Sequence, residues 1–403
     1  MGEKMIQIKN KVNCCGCTAC MSICPKKCIE MKPDEEGFLY PDIDKIECTR
    51  CGLCEKACPI LNRIEEKRFD QKAFLVNNKN DKIRQESTSG GAFTAIAEYV
   101  IEKNGIVFGA TFDDEYNVIH KHVNKKEELH IFRNSKYVQS DLKNCFKEAK
   151  EYLDKGTYVC FSGTPCQIEG LISFLDEKYS NLITVDIVCH AVPSPLVWKK
   201  YFKYIKKEKL NDSKIESISF RDKSKYGYKY STMTIVAEER EYREGVETDP
   251  YLRAFFKDLS DRPACYECCF KKQYRVSDFT IWDCFITEEF DEKLDDDKGT
   301  TRVLIHNEKA EKVFENIKHK FDYLEVPPEK LVNGVREMRS SVNMNVKRKQ
   351  FFYDINNISE KEFFNKYFPD SIKVKTERTI RKTLANTNLY KKIKKIAKKI
   401  LRK

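Results

Sequence analysis

The chain has 403 residues, of which 41% are hydrophobic and 34% charged, with 18 cysteines and a formal charge of +11. No apolar run approaches the ~20 residues of a membrane-spanning helix and no apolar leader precedes the first cysteine, so the cysteines are expected to serve metal in a cytoplasmic, oxygen-sensitive protein rather than form disulfides. The charge is local: residues 373–403 hold thirteen Lys or Arg against Glu377, while residues 1–372 hold 61 basic and 62 acidic side chains, a balance that argues against nucleic acid as partner.

From the N-terminus, Cys14, Cys17, Cys20 and Cys24-Pro25 read C-x2-C-x2-C-x3-C-P, and Cys48, Cys51, Cys54 and Cys58-Pro59 repeat the pattern. In two-cluster 4Fe-4S proteins with this spacing, each run gives three thiolates to one cube and its fourth to the other. The expected sets are Cys14, Cys17, Cys20 and Cys58 for one cube, and Cys48, Cys51, Cys54 and Cys24 for the second. Zinc fits the spacing poorly. Residues 1–62 therefore read as a small two-cluster ferredoxin domain, held together by its metal because the short loops leave little core. A hairpin is expected around Gly37, and Cys15 and Cys28, outside the pattern, are expected to be packed thiols.

Residues 63–72 are charged and read as a linker. A strand over 72–76 leads to Ser87-Thr88-Ser89-Gly90-Gly91 and a helix over 92–102. Caps and glycines ahead of a helical run leave free N–H groups that can hold a phosphate, or serve as an ordinary cap. Strands follow over 105–110 and 118–123, then a helix over 142–153. The apolar strand 158–161 ends in Ser162-Gly163-Thr164-Pro165-Cys166-Gln167 and a helix over 168–175. The strand 182–188 ends in Cys189-His190. Strand, turn, helix and strand in this order predict a parallel α/β sheet with its site at the C-terminal strand ends, where Cys166 and Cys189 lie. Two more strands, 215–221 and 231–237, precede a second cysteine group, Cys265, Cys268 and Cys269, with Cys284 beyond.

Five dispersed stretches carry a resemblance: STSGGAF at 87–93, SKYVQSD at 135–141, FSGTPCQ at 161–167, VDIVCH at 185–190 and RPACYECCFKKQYRVSDFTIWD at 262–283. In these the chain resembles the family of coenzyme F420 hydrogenase/dehydrogenase beta subunits, in its bacterial form with an N-terminal two-cluster ferredoxin. The resemblance covers about residues 73–345. It implies an α+β or α/β architecture, with the ferredoxin domain followed by a mixed α/β flavin-binding domain. That domain would have an N-terminal part over 73–150 and a C-terminal part over 151–345, with a basic helical tail over 346–403. It also implies an iron-sulfur oxidoreductase with FAD, and in bacteria a link to extracellular polysaccharide. Two positions depart from the family pattern, Ala191 and Trp282, where glycine is frequent. They weaken deazaflavin as the expected substrate more than they weaken the cofactors.

Within that frame Cys166 and Cys189 need two further thiolates to hold a cube, and Cys265 and Cys268 supply them, with Cys269 as substitute. The alternatives are a zinc site or unligated buried thiols. Ser87, Ser89, Gly90 and Gly91 are the candidates for the flavin pyrophosphate. Ser135, Lys136 and Tyr137 would contact phosphate or ring, Lys136 as a point charge or else as a plain surface charge, and Thr164 and Gln167 would line the same cleft. His190 is a candidate proton donor, or an outer hydrogen-bond partner of a cluster sulfur. From Leu389 the apolar residues recur at 4, 3 and 4, giving an amphipathic basic helix that either lies on the inner face of a membrane or docks a partner. Two functions remain: a flavin-dependent redox enzyme acting on a small substrate, or an electron-transfer subunit that feeds another enzyme or ferredoxin.

Overall fold

The computed structural model describes residues 5–386, so the basic helix expected from Leu389 lies outside the described residues. The cysteine repeats have little regular structure. The short helices Ala19–Ile23 and Leu53–Lys56 each follow a left-handed residue, Thr18 (φ 63°) and Gly52 (φ 78°). Strands β1 (Ile29–Pro33) and β2 (Leu39–Ile43) form the expected antiparallel hairpin. Gly37 in its turn has φ +82°, and a Cβ there would fall 2.6 Å from Leu196 Cβ. Only glycine lets the hairpin press so closely against the body.

Five strands follow before residue 190: β3 (Lys72–Asn78), β4 (Ile106–Phe112), β5 (Val118–Val123), β6 (Val159–Gly163) and β7 (Leu182–Ile187). Strands β8 (Ile215–Ser219), β9 (Thr232–Ala237) and β10 (Glu241–Gly245) make a separate antiparallel sheet. Strands β11 (Phe279–Asp283), β12 (Thr301–Ile305) and β13 (Phe321–Val326) return to the first. The resulting eight-stranded sheet has the order β13-β3-β12-β11-β7-β6-β4-β5. Its centre, β11-β7-β6-β4, is parallel, and both flanks are antiparallel. The parallel arrangement expected for β6 and β7 is present, within a sheet that is mixed overall. Both strands begin as apolar runs buried on both faces, as helix-covered parallel strands must be. Because β3 lies between β12 and β13, residues 73–150 and 151–345 share one sheet.

Residues 346–386 differ from the expected tail. They form helices Arg348–Asn357, Glu360–Tyr367 and Ile372–Asn386. Phe351, Phe352, Phe363, Phe364 and Phe368 pack with Trp198, Tyr201 and Phe38 in one core. The polar and charged residues between these aromatics obscure the apolar face in the sequence. Among the described residues no helix is long and apolar enough to cross a membrane.

Candidate functional site

The eight repeat cysteines divide between two cavities. One is bounded by Cys24, Cys48, Cys51 and Cys54. The other is bounded by Cys14, Cys17, Cys20 and Cys58. This is the crossed division the spacing predicts, and a donor set of four thiols around each space fits a cube. Backbone and side-chain donors already point at sulfur: Ile6 N–H lies 3.4 Å from Cys54 Sγ and Arg262 Nη2 lies 3.5 Å from Cys14 Sγ. Such bonds stabilise the reduced, more negative cluster. The two odd cysteines are not simply packed away. Cys28 lines the first cavity with its Sγ 3.4 Å from that of Cys24. Cys15 lines the second and reaches the thiol of Cys166 in the next domain.

Arg262 fastens the second cavity to the body. It is fully buried, and its guanidinium donates to Cys14 O (2.7 Å), Leu39 O (2.9 Å) and Gln139 Oε1 (2.7 Å). It also stacks over Tyr40 at 4.3 Å. Gln139 completes the clasp by donating to Cys15 O at 3.1 Å. Helix Pro165–Leu175 meets the module at Gly170, where a Cβ would fall 2.8 Å from Cys17 Cβ. A further ion pair, Arg348–Glu36 (2.5 Å), closes the other side.

Beyond this seam the C-terminal ends of β6 and β7 deliver Cys166 and Cys189, and the loop before β11 delivers Cys265 and Cys268. The four thiols interact electrostatically: Cys189 with Cys166 and Cys268, and Cys265 with Cys189 and Cys268. Burial pushes the Cys189 thiol up to about 12 and that of Cys265 well above its usual value. Without a bound cation both would stay protonated. Cys269, the substitute candidate, lies near Cys58 as well as its neighbour Cys268. Cys284 is buried in a different core, and Cys145 and Cys160 are buried hydrophobes. The loop is pinned beneath the strands by Lys272–Glu169 (2.7 Å) and Arg275–Asp186 (3.2 Å), and Lys271 Nζ donates to the carbonyls of Cys189 and His190. Thiols of a tetrahedral zinc site, each about 2.3 Å from the ion, lie about 3.8 Å apart. Among the described residues no three thiols come within 4.8 Å of one another, so these four do not form a closed tetrahedral zinc set.

The 87–91 turn sits on the edge of β3 and β12. A Cβ on Gly90 would fall 2.2 Å from Val76 O, so glycine here serves close packing. The turn is already partly engaged: Ser87 Oγ donates to Ile83 O (2.7 Å), Ser89 Oγ bonds Thr301 Oγ1 (2.8 Å), and Gly90 N–H donates to the same oxygen (2.8 Å). Thr88 Oγ1 joins it to Ser135, accepting the Ser135 N–H at 2.7 Å. Lys136 is half-buried, not a surface charge: it donates to Ile131 O and Arg133 O, and burial lowers its ammonium to about 7. Tyr137 meets Arg221 Nη1 at 3.2 Å. Thr164 and Gln167 turn to each other across the helix start (2.9 Å), and Gln167 also to Ser140 (3.0 Å), rather than to the turn.

Two cations here escape the sequence reading. Arg221 pairs with Asp283 (2.9 Å), yet its Nη2 is buried with no partner. Lys223 Nζ donates to Arg84 O, Ser89 O and Lys298 O, and burial with the nearby Arg84 and Arg221 charges lowers it to about 7. An orphaned guanidinium nitrogen and a lysine crowded by positive charge are relieved by an anion. The residues therefore fit a phosphate-bearing cofactor. The only sequence signal is Arg221 and Lys223 in alternation ahead of the Tyr226–Tyr230 aromatic turn.

His190 lies between carboxylates, with Nε2 2.9 Å from Asp258 Oδ1 and Nδ1 3.7 Å from Glu337 Oε1. Burial opposes its charge, but Glu337, Asp261 and Asp258 outweigh burial and hold the imidazolium above its ordinary range. Burial pushes Asp261 up to about 8.

Comparison with known proteins gives two family matches. Residues 156–330 match the C-terminal part of the coenzyme F420 hydrogenase/dehydrogenase beta chain, and residues 13–61 match a 4Fe-4S dicluster domain. The ketoisovalerate oxidoreductase component VorC of Methanothermobacter marburgensis is 35% identical over 65 residues, 16% of this chain and 82% of that protein. A component of the F(420)H(2) dehydrogenase of Methanosarcina mazei is 24% identical over 177 residues, 41% of this chain and 50% of that protein. A solved chain of the F420-reducing [NiFe] hydrogenase complex from Methanosarcina barkeri aligns over 75% of this chain and 93% of its own, with TM-score 0.42 and 15% identity.

Proposed function

The chain belongs to the family of coenzyme F420 hydrogenase/dehydrogenase beta subunits, and from that premise we propose that it is an iron-sulfur flavoprotein oxidoreductase. The observation that carries this reading is the convergence of Cys166, Cys189, Cys265 and Cys268 between the Cys14–Cys58 cavity and the Tyr137–Arg221 region. These four thiols hold a third 4Fe-4S cluster, and the chain of thiol sites runs from the module to the flavin residues. FAD, when bound, converts single electrons into a hydride-equivalent transfer. Arg221 and Lys223 balance its phosphate charge. The 87–91 turn, with Ser87, Ser89, Gly90 and Gly91, supplies the neighbouring backbone, braced through Thr88 by Ser135. Tyr137, packed edge-on to Phe220 and tilted on Phe255, shields the site from water. A redox partner of ferredoxin type exchanges electrons with the module, and on the family resemblance the substrate is linked to extracellular polysaccharide.

Protein purified without oxygen is expected to release about one FAD per chain, and Arg221→Gln to retain at least tenfold less, as removing a buried charge partner of a phosphate should. Wild-type protein with full iron and no flavin overturns the reading. A second reading, an electron-transfer subunit without its own substrate, is favoured by the relatives from M. marburgensis and M. mazei, both named as components of larger oxidoreductases. Flavin that reduces with dithionite but turns over no small acceptor would favour it.

We also propose that the chain works in the cytoplasm, with its basic end on an anionic membrane surface. A chain truncated after residue 386 is expected to lose co-sedimentation with phosphatidylserine liposomes, since each lysine near such a surface adds ~1 kcal/mol. Equal sedimentation of both chains overturns this.

A further inference from the structure

Outside the thiol sites, one cluster of ligand-type side chains remains among the described residues. His190, Asp258 and Asp261 each place one ligand atom within 4.8 Å of the other two. A histidine between carboxylates is a common structural pair, and the Nε2–Asp258 contact alone would say no more than that. Asp261 says more. It is fully buried, and neither of its carboxylate oxygens has a hydrogen-bond partner. Apart from His190 itself, the neighbouring cations are spent elsewhere: Arg348 donates to the Asp261 backbone carbonyl and pairs with Glu36, and Lys271 donates to the carbonyls of Cys189 and His190. A buried carboxyl with both oxygens unserved costs several kcal/mol unless a cation or proton meets it.

We propose that His190 Nε2, Asp258 and Asp261 bind a divalent first-row transition ion. The donor set of one imidazole and two carboxylates suits the Mn²⁺, Fe²⁺ and Zn²⁺ class rather than a thiolate-seeking metal. The 2.9 Å between His190 Nε2 and Asp258 Oδ1 matches two ligands at right angles around a six-coordinate ion held at about 2.1 Å, whereas a tetrahedral ion would set them about 3.4 Å apart. Glu337 stands on the other side of the ring, 3.7 Å from Nδ1. With an ion on Nε2 in place of the proton now directed at Asp258, Glu337 would hold the remaining proton on Nδ1, the outer carboxylate–histidine arrangement usual at such sites. His190 thus acts as a ligand, in place of the proton donor the sequence suggested.

The ion would join two turns that already touch. Ser194 N–H donates to Ser260 O (2.8 Å), and Arg262 N–H donates to Val192 O (3.0 Å). These turns carry Cys189, adjacent to His190, and Cys265, shortly after Asp261. The site stands whether or not those thiols hold a cluster, and its test is separable from theirs.

The full chain, purified without oxygen, is analysed for manganese, iron, zinc and acid-labile sulfide, then titrated with Mn²⁺ and followed by electron paramagnetic resonance. The expected result is one ion per chain beyond the iron matched by sulfide, or one saturable Mn²⁺ per chain. Asp261→Asn and Asp258→Asn are each expected to weaken Mn²⁺ binding at least tenfold while iron and sulfide per chain stay unchanged. Glu337→Gln, which leaves all three ligands in place, should weaken it about tenfold and serves where an aspartate variant fails to fold. The proposal is overturned if wild-type protein holds no ion beyond its sulfide-matched iron and binds no Mn²⁺ saturably. It is overturned equally if the folded variants bind Mn²⁺ as wild type does.

Discussion

Cys166→Ser and Cys265→Ser, made separately, are each expected to lower iron from about twelve to about eight per chain and acid-labile sulfide in step, while the two module cubes remain. The loss would fall on one cube because both thiols, from the start of helix Pro165–Leu175 and the short helix Pro263–Glu267, belong to the proposed third set and not to the module. Serine keeps the volume but removes the ligand. Cys269→Ser, beside Cys268 but outside the proposed ligand set, is expected to leave iron unchanged and so controls for general disruption. Iron and sulfide that do not move in either variant sink the third cluster. Zinc at one per chain in wild type, lost in both variants, would replace it with a zinc site.

Arg262→Ala is expected to be the most destabilising single change at the seam, lowering stability by about 3 kcal/mol or more. It strands the carbonyls of Cys14 and Leu39 and the amide of Gln139 in a buried place, each orphan costing about 1–3 kcal/mol, and leaves a cavity against Tyr40. Arg262→Lys retains the charge but not the fork that reaches three acceptors at once, and should recover only part. The measurement is the denaturant midpoint, with limited proteolysis of the 63–72 segment as a local readout. That segment is held by Lys272 to Ile64 O (2.6 Å) and by Glu66, which accepts from Gln273 N–H (2.8 Å), so it should be cut faster when the seam opens. An unchanged midpoint and cleavage rate in Arg262→Ala would mean that the module docks by other contacts.

The cysteine spacing was fully legible because ligand spacing is a local property: x2, x2, x3 and Pro divide eight thiols between two spaces without knowledge of the fold. The parallel pair β6–β7 was legible too, since strands buried on both faces read as continuous apolar runs. Strand β10 was not, because its residues, EYREG, alternate charge with burial on a small outlying sheet. The helix Pro195–Leu210 was hidden in the same way, by the lysines and the glutamate crowded around Trp198, Tyr201 and Ile205. At the site, Thr164 and Gln167 carried a family motif yet spend their bonds on a helix start. Arg221 and Lys223 carried none, and their character comes from burial that only tertiary structure creates. In the His190–Asp258–Asp261 group, His190 and Asp258 stand 68 positions apart, a separation that no pattern in one sequence reveals.

Of the eighteen cysteines, Cys51 alone is exposed, and Ile46 (92% exposed) and Leu53 of the same module also face solvent. The other module cavity lies against the clasp formed by Arg262 and Gln139. The two repeats, alike in cysteine spacing, are therefore not interchangeable: one site is open to the surroundings, the other faces the body. Oxygen damage and external reductants alike should reach the Cys51 cube first, and a docking protein would have to cover that corner to make contact. A duplication symmetric in sequence has become a polarised device, with its direction set by which copy the body encloses.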